Sequence, residues 1–384
     1  MIYVEFRPFP GEDEVSFAKR KAYYLRNIKP RFDFCSLNLE RKLHNARPIT
    51  IHEREEIDEF WSQFLTNEMR SILIDYRYYD LYNSVRKEEV PLYQYIPDSF
   101  YQPFVDEYFT NPQHSMPCDD KNMYDLYFYD IRRPKTVFRQ IKSMLLDYNY
   151  AELSIKEVIE KCRDKGEVVL KPAKFSAGGR GVLFWNAEIN SDSQLVDYLN
   201  NTEFVICQEV IKQHADLNRL SKNSVNSIRM MTMVFENQTY LLSSVIRMGT
   251  NTARIDNFTS GGIASGIKPN GQLRNVAYDV CANRYDRHPL GTEFESVVIP
   301  NYYECVDIVT RLAKRFATLS RFISWDLAID ESGHPLIIEF NVSWAGIDVH
   351  QLCNGPIFGD MAKDVLSEVF SKSYTLKSII KSYQ

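Results

Sequence analysis

The alternation of apolar and polar positions predicts a β-hairpin over residues 322–344. Two apolar runs flank the polar segment 330–333, which has the composition of a turn. Asp326, Glu339 and Asn341 interrupt these runs, and Glu339 and Asn341 are two residues apart, so both point to one face of the sheet. Such oxygen ligands suit a divalent cation such as Mg²⁺. A solvated charged face is the alternative, and the apolar neighbours argue against it.

Residues 166–185 predict two short strands joined by a glycine-rich loop. The first strand delivers Lys171, and the loop carries glycines at 178, 179 and 181. Glycine lets backbone N–H groups approach a polyphosphate closely. The spacing matches neither the P-loop nor the GxGxxG motif. A flexible hairpin turn is the alternative, but the lysine at the start of the loop favours phosphate binding.

The remaining periodicities predict further helices and strands. Residues 1 to about 115 are expected to form a mostly helical region packed through aromatic side chains, and the prolines and polar residues of 110–122 predict a boundary after it. We expect the tail 375–384 to be peripheral. Helices are predicted at 54–65, 152–165, 192–200, 302–322 and 359–371, and strands at 204–211, 227–235 and 240–248.

Composition excludes several classes of protein. The 384 residues are 44% apolar and 25% charged, as in ordinary globular proteins of two or three domains. A net charge of −5 without a basic run argues against nucleic-acid binding. No signal peptide and no apolar stretch of about 20 residues, the length of a membrane span, is evident. The seven scattered cysteines suggest a reduced compartment, so we expect a cytoplasmic protein.

The order of these features resembles the ATP-grasp superfamily. The gap of thirteen residues between Asp326 and Glu339, followed by Asn341, is like the magnesium triad of D-alanine–D-alanine ligases. The stretch 246–262 is similar to a loop of ribosomal-protein glutamate ligases and glutathione synthetases. As a whole the chain is similar to the sugar-transfer-associated ATP-grasp proteins, which are related to α-L-glutamate ligases and linked to surface-polysaccharide synthesis.

The resemblance implies an α+β fold, the ATP-grasp fold, in which two α+β subdomains clasp ATP. Residues 1–115 would be the helical, aromatic-rich N-terminal region. Residues 116–215 would carry the phosphate strand, the lid and the adenine hinge. Residues 216–384 would form the C-terminal subdomain with the metal triad.

The resemblance also implies the residues of the site. Two Mg²⁺ ions, with Mn²⁺ as a substitute, would be held by Asp326, Glu339 and Asn341. The implied catalytic residues are Arg229, Arg247, Asn257 and Lys171. Ser324 stands where D-alanine ligases have a catalytic arginine, and Asp216 is the nearest candidate for the ribose. The residues implied to bind ATP are Lys121, Lys171, Ser176, Gly178, Gly179, Arg180, Gly181, Gln208, Glu209, Val210, Ile211 and Asp216.

The implied function is an ATP-dependent carboxylate–amine ligase that forms an acyl phosphate. Its substrates would be a carboxylate and an amine, and it would modify a sugar or glycan precursor, or join an amino acid to it, in surface-polysaccharide synthesis. A phosphotransferase acting on a hydroxyl would share the same motifs. A non-catalytic nucleotide-binding adaptor of a glycan-assembly complex is the third possibility, although the complete triad and both lysines argue against it. The sequence specifies neither the substrates nor the oligomeric state.

Overall fold

The structure is a computed structural model that describes residues 7–110, 115–174, 178–250 and 261–383. Within these ranges, no helix is both long and apolar enough to cross a membrane. The chain begins with short helices, continues into a small β-sheet and then a large one, and ends in three helices.

The N-terminal region is helical and packed through aromatic side chains, as predicted. Trp61 is fully buried and donates to the hydroxyl of Tyr79, and Tyr82 stacks on Tyr95. π-Helical segments at Tyr24–Ile28 and Tyr101–Asp106 follow α1 and α6. The helices are α1 (Glu14–Tyr23), α2 (Lys29–Glu40), α3 (Ile51–Ser62), α4 (Asn67–Leu73), α5 (Arg77–Asn83), α6 (Asp98–Phe100) and α7 (Glu107–Phe109).

The small sheet follows, with five antiparallel strands in the order β2-β1-β5-β3-β4. Its helices begin at capping boxes, formed by Ser154 with Glu157 and by Ser191 with Gln194, which satisfy the first free N–H groups of each helix. The elements are α8 (Tyr124–Tyr127), β1 (Thr136–Ile141), β2 (Met144–Leu146), α9 (Ile155–Lys165), β3 (Glu167–Pro172), β4 (Leu183–Asn186), α10 (Asp192–Asn200), β5 (Phe204–Glu209) and α11 (Ala215–Asn218).

The large sheet has seven antiparallel strands in the order β10-β9-β8-β7-β6-β11-β12. The predicted hairpin is its edge pair, β11 and β12. The elements are β6 (Ile228–Phe235), β7 (Gln238–Met248), β8 (Ile263–Ile267), β9 (Leu273–Asp279), β10 (Arg284–Tyr285), α12 (Tyr302–Arg315), β11 (Phe322–Ile329) and β12 (Pro335–Asn341). Helix α12 ends at Arg315 rather than at the predicted residue 322, because Phe316 leaves helical geometry and packs into the core.

The two faces of the large sheet bury different partners. One face packs against α12 through Trp325 and its neighbours. The other face shares a core with the N-terminal helices through Met231, Met233 and Phe322. The N-terminal region is therefore part of the same packed body as the large sheet.

Three helices close the chain: α13 (Asp348–Asn354), α14 (Ala362–Lys372) and α15 (Tyr374–Lys381). The prediction of a peripheral tail is wrong, because Leu376 and Ile379 are 0% and 1% exposed in the core shared with the N-terminal helices. The tail forms an amphipathic helix whose partners lie at the other end of the chain, so its local sequence did not reveal its burial.

Candidate functional site

Asp326 lies at the centre of a charge cluster on the large sheet. In the strand ladder it pairs with Arg229 on β6 and with Glu339 on β12. Directly paired residues point to the same face of a sheet. The hairpin register therefore brings Asp326, Glu339 and Asn341 to one face, beside Arg229.

Two arginines hold the Asp326 carboxylate. Arg229 donates from Nε to Oδ1 and from Nη2 to Oδ2, both at 2.8 Å, and Nη2 of Arg247 lies 3.1 Å from Oδ2. Burial acts to raise the pKa of Asp326, but the two guanidinium groups outweigh it and bring the pKa to about 2. Asp326 is thus ionised, with its charge compensated by two cations from neighbouring strands.

Lys121 connects the two parts of the site. Its Nζ lies 2.8 Å from Oε1 of Glu339, and its backbone N–H donates to the carbonyl of Ala173 at 2.9 Å, directly after β3, the predicted phosphate strand. Asp120 accepts from the N–H of Asn122 and caps the short helical turn that starts at Lys121. Glu339, with 27% of its side chain exposed, is more accessible than Asp326.

Lys171 and the predicted hinge lie on adjacent strands of the small sheet. Lys171 donates from Nζ to Oε1 of Gln208 at 3.2 Å, and Glu209 forms an ion pair with Lys165 at 2.6 Å. Val210 and Ile211 follow the last residue of β5. Since both polar side chains of the hinge are engaged within the protein, the backbone is the part of it suited to an adenine edge.

Backbone geometry explains the glycines of the loop. Gly178, Gly179 and Gly181 have φ values of 70°, 72° and 74°, which side-chain-bearing residues rarely adopt. A Cβ on Gly181 would also lie 2.9 Å from Cγ of Pro172. Arg180 is exposed between them. Ser176 and Asn257 lie outside the described residues.

Asp216 is placed away from the charge cluster. Its carboxylate is 3.6 Å from Nδ1 of His214, and the backbone N–H of His214 donates to Ile329 at the end of β11. This position is near the hairpin turn, on the far side of the hairpin from Asn341. The structure therefore places Asp216 near the turn of the hairpin, at the opposite end of β12 from Asn341.

A second row of polar groups lies one step further along the strands. Ser324 and Asn341 are cross-strand partners, and Ser324 is paired through Met231 with Ser243. Nδ1 of His350 lies 2.8 Å from Oγ of Ser243. Oγ of Ser324, Nδ2 of Asn341 and Nε2 of His350 are buried and have no hydrogen-bond partner among the described residues.

His350 is a site residue that the sequence did not reveal. Burial and then the positive charge of Arg229 lower its pKa to about 3, so the imidazole is neutral. Nothing in its local sequence distinguishes it from a histidine buried for packing, because its neighbours in the site come from β6, β7 and β11.

The N-terminal region holds the segment that follows Asn341. Asp106 accepts from the backbone N–H of Trp344 at 3.1 Å, and Gln102 donates to the carbonyl of Ala345 at 3.0 Å. Buried Lys42 forms an ion pair with Asp348 at the start of α13. Through these contacts the aromatic N-terminal region holds a segment of backbone beside the site. The sequence had indicated only that this region forms a packed core.

Asp326, Glu339 and Asn341 offer two carboxylates and an amide oxygen, hard donors that suit Mg²⁺. Across the described ranges, His, Cys, Asp and Glu form no cluster of three or more that could hold a metal ion, so the amide is needed to complete the set. Nδ2 of Asn341 is buried without a hydrogen-bond partner among the described residues, and the ligand to the ion would be the amide oxygen of the same side chain. The donor set therefore fits Mg²⁺ by its chemistry.

Two α+β halves that present a lysine strand, a glycine loop and an oxygen-bearing hairpin to each other define the ATP-grasp fold. The chain belongs to the sugar-transfer associated ATP-grasp family, whose model matches residues 109–366.

Solved structures with similar folds include several ligases. D-alanyl-alanine synthetase A from Vibrio cholerae O1 biovar eltor str. N16961 is 11% identical with a TM-score of 0.41, over 71% of this chain and 67% of that one. An L-amino acid ligase from Bacillus licheniformis is 13% identical with a TM-score of 0.40, over 70% of this chain and 52% of that one. D-alanine–D-alanine ligase from Bacillus anthracis is 17% identical with a TM-score of 0.36, over 71% and 69%. The chain thus spans about half the length of the L-amino acid ligase. A comparison with curated proteins gave no match.

Proposed function

We propose that the protein is an ATP-dependent carboxylate–amine ligase that works through an acyl phosphate and modifies a sugar or glycan precursor in surface-polysaccharide synthesis. The observation that carries the proposal is the Lys121–Glu339 ion pair, which joins the phosphate strand to the oxygen-bearing hairpin. Membership of the sugar-transfer associated ATP-grasp family supports the use of ATP.

The nucleotide would lie between the small sheet and the hairpin. Lys121 and Lys171 would place positive charge on its phosphates, and the loop 176–181 would cover them and exclude water from the acyl phosphate. Val210 and Ile211 would present backbone groups to the adenine. Asp216 is the candidate for the ribose, and it would approach the nucleotide from α11, near the hairpin turn.

Asp326, Glu339 and Asn341 are the residues that would hold Mg²⁺. The ion, when bound, supplies positive charge beside the phosphate oxygens, where negative charge grows during transfer. Arg229 and Arg247 fix the orientation of Asp326, and Lys121 that of Glu339, so that the two carboxylates are held in place by cations of the protein.

The reaction would proceed in two steps. An oxygen of the substrate carboxylate attacks the γ-phosphorus of ATP, and ADP leaves. The amine then attacks the carbonyl carbon of the acyl phosphate, inorganic phosphate leaves, and the nitrogen loses a proton. Arg229 on β6, the strand next to Ser324, and Arg247 on β7, one strand further, would supply the positive charge for the carboxylate and the oxyanion.

Hydroxylamine provides a test of the first step that does not require the natural amine. Purified protein with Mg·ATP and a nucleotide-linked uronic acid should give a hydroxamate and phosphate, detected by mass spectrometry and a phosphate assay. An amino-acid panel then replaces hydroxylamine, and the product should have the mass of acid plus amine minus water. A product that has gained a phosphoryl group on a hydroxyl would identify a phosphotransferase instead. The matched control is the Glu339→Gln variant.

A further inference from the structure

Trp344 differs from the other tryptophans of the protein. It is 46% exposed, whereas Trp61, Trp185 and Trp325 are all 0% exposed. A large apolar side chain left partly in water is not explained by core packing. The surroundings of the indole ring therefore indicate what kind of ligand it could contact.

The backbone of Trp344 is held in an unfavourable conformation. Its φ is 61°, in the left-handed region that bulky residues rarely adopt. The buried carboxylate of Asp106 fixes this conformation by accepting from the N–H of Trp344. Surrounding structure that enforces strain of this kind is typical of functional sites.

The indole ring is also held from one side. The guanidinium carbon of Arg31 lies 4.7 Å from the ring centroid, and Phe34 meets the ring edge-on at 6.0 Å. Arg31 is itself fixed, because it donates to the carbonyl of Gln102 at 2.6 Å and forms an ion pair with Asp106. The ring is thus a preorganised flat surface, supported by the protein and open to solvent elsewhere.

The ring stands next to the charge cluster. Trp344 is three residues after Asn341, a distance of at most about 11 Å along an extended chain. The same segment leads to His350, whose Nδ1 lies 2.8 Å from Oγ of Ser243 in the polar row that also contains Ser324 and Asn341. Both ends of the segment therefore lie at the site, and the exposed ring lies between them.

We propose that Trp344 is a stacking platform for the sugar ring of the carboxylate co-substrate. An indole face buries the C–H face of a pyranose and leaves the hydroxyls at the ring edge free to keep their hydrogen bonds. Because the ring is fixed before binding, little further ordering is needed when the sugar arrives. The proposal rests on the proposed function, since the carboxylate of the stacked sugar then reaches Arg229, Arg247 and the triad.

Tryptophan fluorescence tests the platform without catalysis. Because the other three tryptophans are buried, acrylamide should quench mainly Trp344. The probes are methyl glucuronide, methyl galacturonide and methyl N-acetylglucosaminide, with cyclohexanecarboxylate as an acid that lacks hydroxyls and ADP as a nucleotide. We expect saturable protection by at least one methyl uronide and none by cyclohexanecarboxylate.

Two variants complete the test. Titration calorimetry measures the variants, because they lack the reporter tryptophan. Trp344→Leu should weaken binding of the protecting uronide about tenfold, equivalent to about 1.4 kcal/mol, and leave the affinity for a Mg·ATP analogue unchanged. Trp344→Gly should keep the parental Tm, because glycine adopts the left-handed backbone conformation without strain, and it should no longer bind the uronide. This variant separates an effect on binding from an effect on folding.

Three results would overturn the platform. These are no protection by any of the three glycosides, protection by ADP alone, and an unchanged uronide affinity in Trp344→Leu. If the Mg·ATP analogue still binds in those cases, the proposed ligase function is unaffected, so the two failures are distinguishable.

Discussion

The ammonium group of Lys121 lies 2.8 Å from the carboxylate of Glu339, while the backbone of Lys121 donates to Ala173 at the end of the phosphate strand. A single residue therefore joins the part of the protein expected to hold phosphates to the part expected to hold the metal. If this connection is functional, the phosphates of the nucleotide lie beside the metal ligands. Several variants can test this arrangement.

Lys121→Met should lower the affinity for a Mg·ATP analogue at least tenfold, since it removes a positive charge from the phosphate site. Titration calorimetry measures the change. Lys268→Met is the matched control, because Lys268 forms an ion pair with Glu295 at 2.9 Å outside the proposed site. Equal losses in the two variants would show that Lys121 has no particular role in nucleotide binding.

Arg229→Ala should destabilise the fold by about 3 kcal/mol, because it leaves a buried carboxylate short of its bidentate partner. Urea unfolding measures the free energy. Adding Asp326→Asn should restore much of the loss by removing the buried charge. Arg163→Ala, in an exposed ion pair with Asp192, should cost less than about 1 kcal/mol. A double variant no more stable than Arg229→Ala would contradict the pairing.

Lys171→Ala and Arg247→Ala should affect different substrates. Lys171 lies on β3, the strand that leads into the glycine loop, and should contact ATP, so its loss should raise the KM for ATP. Arg247 borders Asp326 and Ser227 and should contact the acid, so its loss should raise the KM for the acid and leave nucleotide affinity near the parental value. Steady-state kinetics and calorimetry separate the two effects, and a change in ATP affinity in both variants would contradict the assignment.

Asp98 should make stability depend on pH. Burial and then the charge of Asp348 raise the pKa of Asp98 to about 7, above the value of about 4 in an unfolded chain. The folded state then favours the protonated carboxyl, so this stabilisation is present below pH about 4 and is lost as the pH rises towards and through 7. Asp98→Asn keeps an acceptor for the N–H of Ile347 and removes the titration.

Thermal unfolding at pH 5 and at pH 8 checks this expectation, because the two values lie on either side of the pKa of about 7. The parent should lose more of its Tm between the two pH values than Asp98→Asn does. Parallel changes in the parent and the variant would show that Asp98 does not titrate in this range.

Local patterns predicted the elements whose determinants are local. The bounds of the helix at 192–200 were predicted correctly because Ser191 and Gln194 form a capping box at its start. Strands β1 and β2 were not predicted, and β1 contains fully buried Arg139, whose partner Asp125 lies on another element. From the sequence alone an arginine is assigned to the surface, because the acidic partner that permits its burial is not known.

Contacts between distant parts of the chain were beyond sequence reasoning. Lys42 and Asp348 are 306 residues apart, and no periodicity reports their ion pair. The cations that offset the two triad carboxylates are likewise set by long-range structure. Arg229 and Arg247 reach Asp326 through the strand register, and Lys121 reaches Glu339 from a different part of the chain.

Magnesium-dependent binding of a non-hydrolysable ATP analogue, measured by titration calorimetry, tests the central claim most directly. The parent should bind the analogue with a clear dependence on Mg²⁺. Glu339→Gln should still bind it through Lys121 and Lys171 but with little dependence on Mg²⁺, and should react about a hundredfold more slowly, a loss of about 3 kcal/mol of transition-state stabilisation. Its Tm should change little, because the Lys121–Glu339 pair is partly exposed. No heat from the parent at millimolar nucleotide with Mg²⁺ would contradict the account, as would a Glu339→Gln variant with parental Mg²⁺ dependence and turnover.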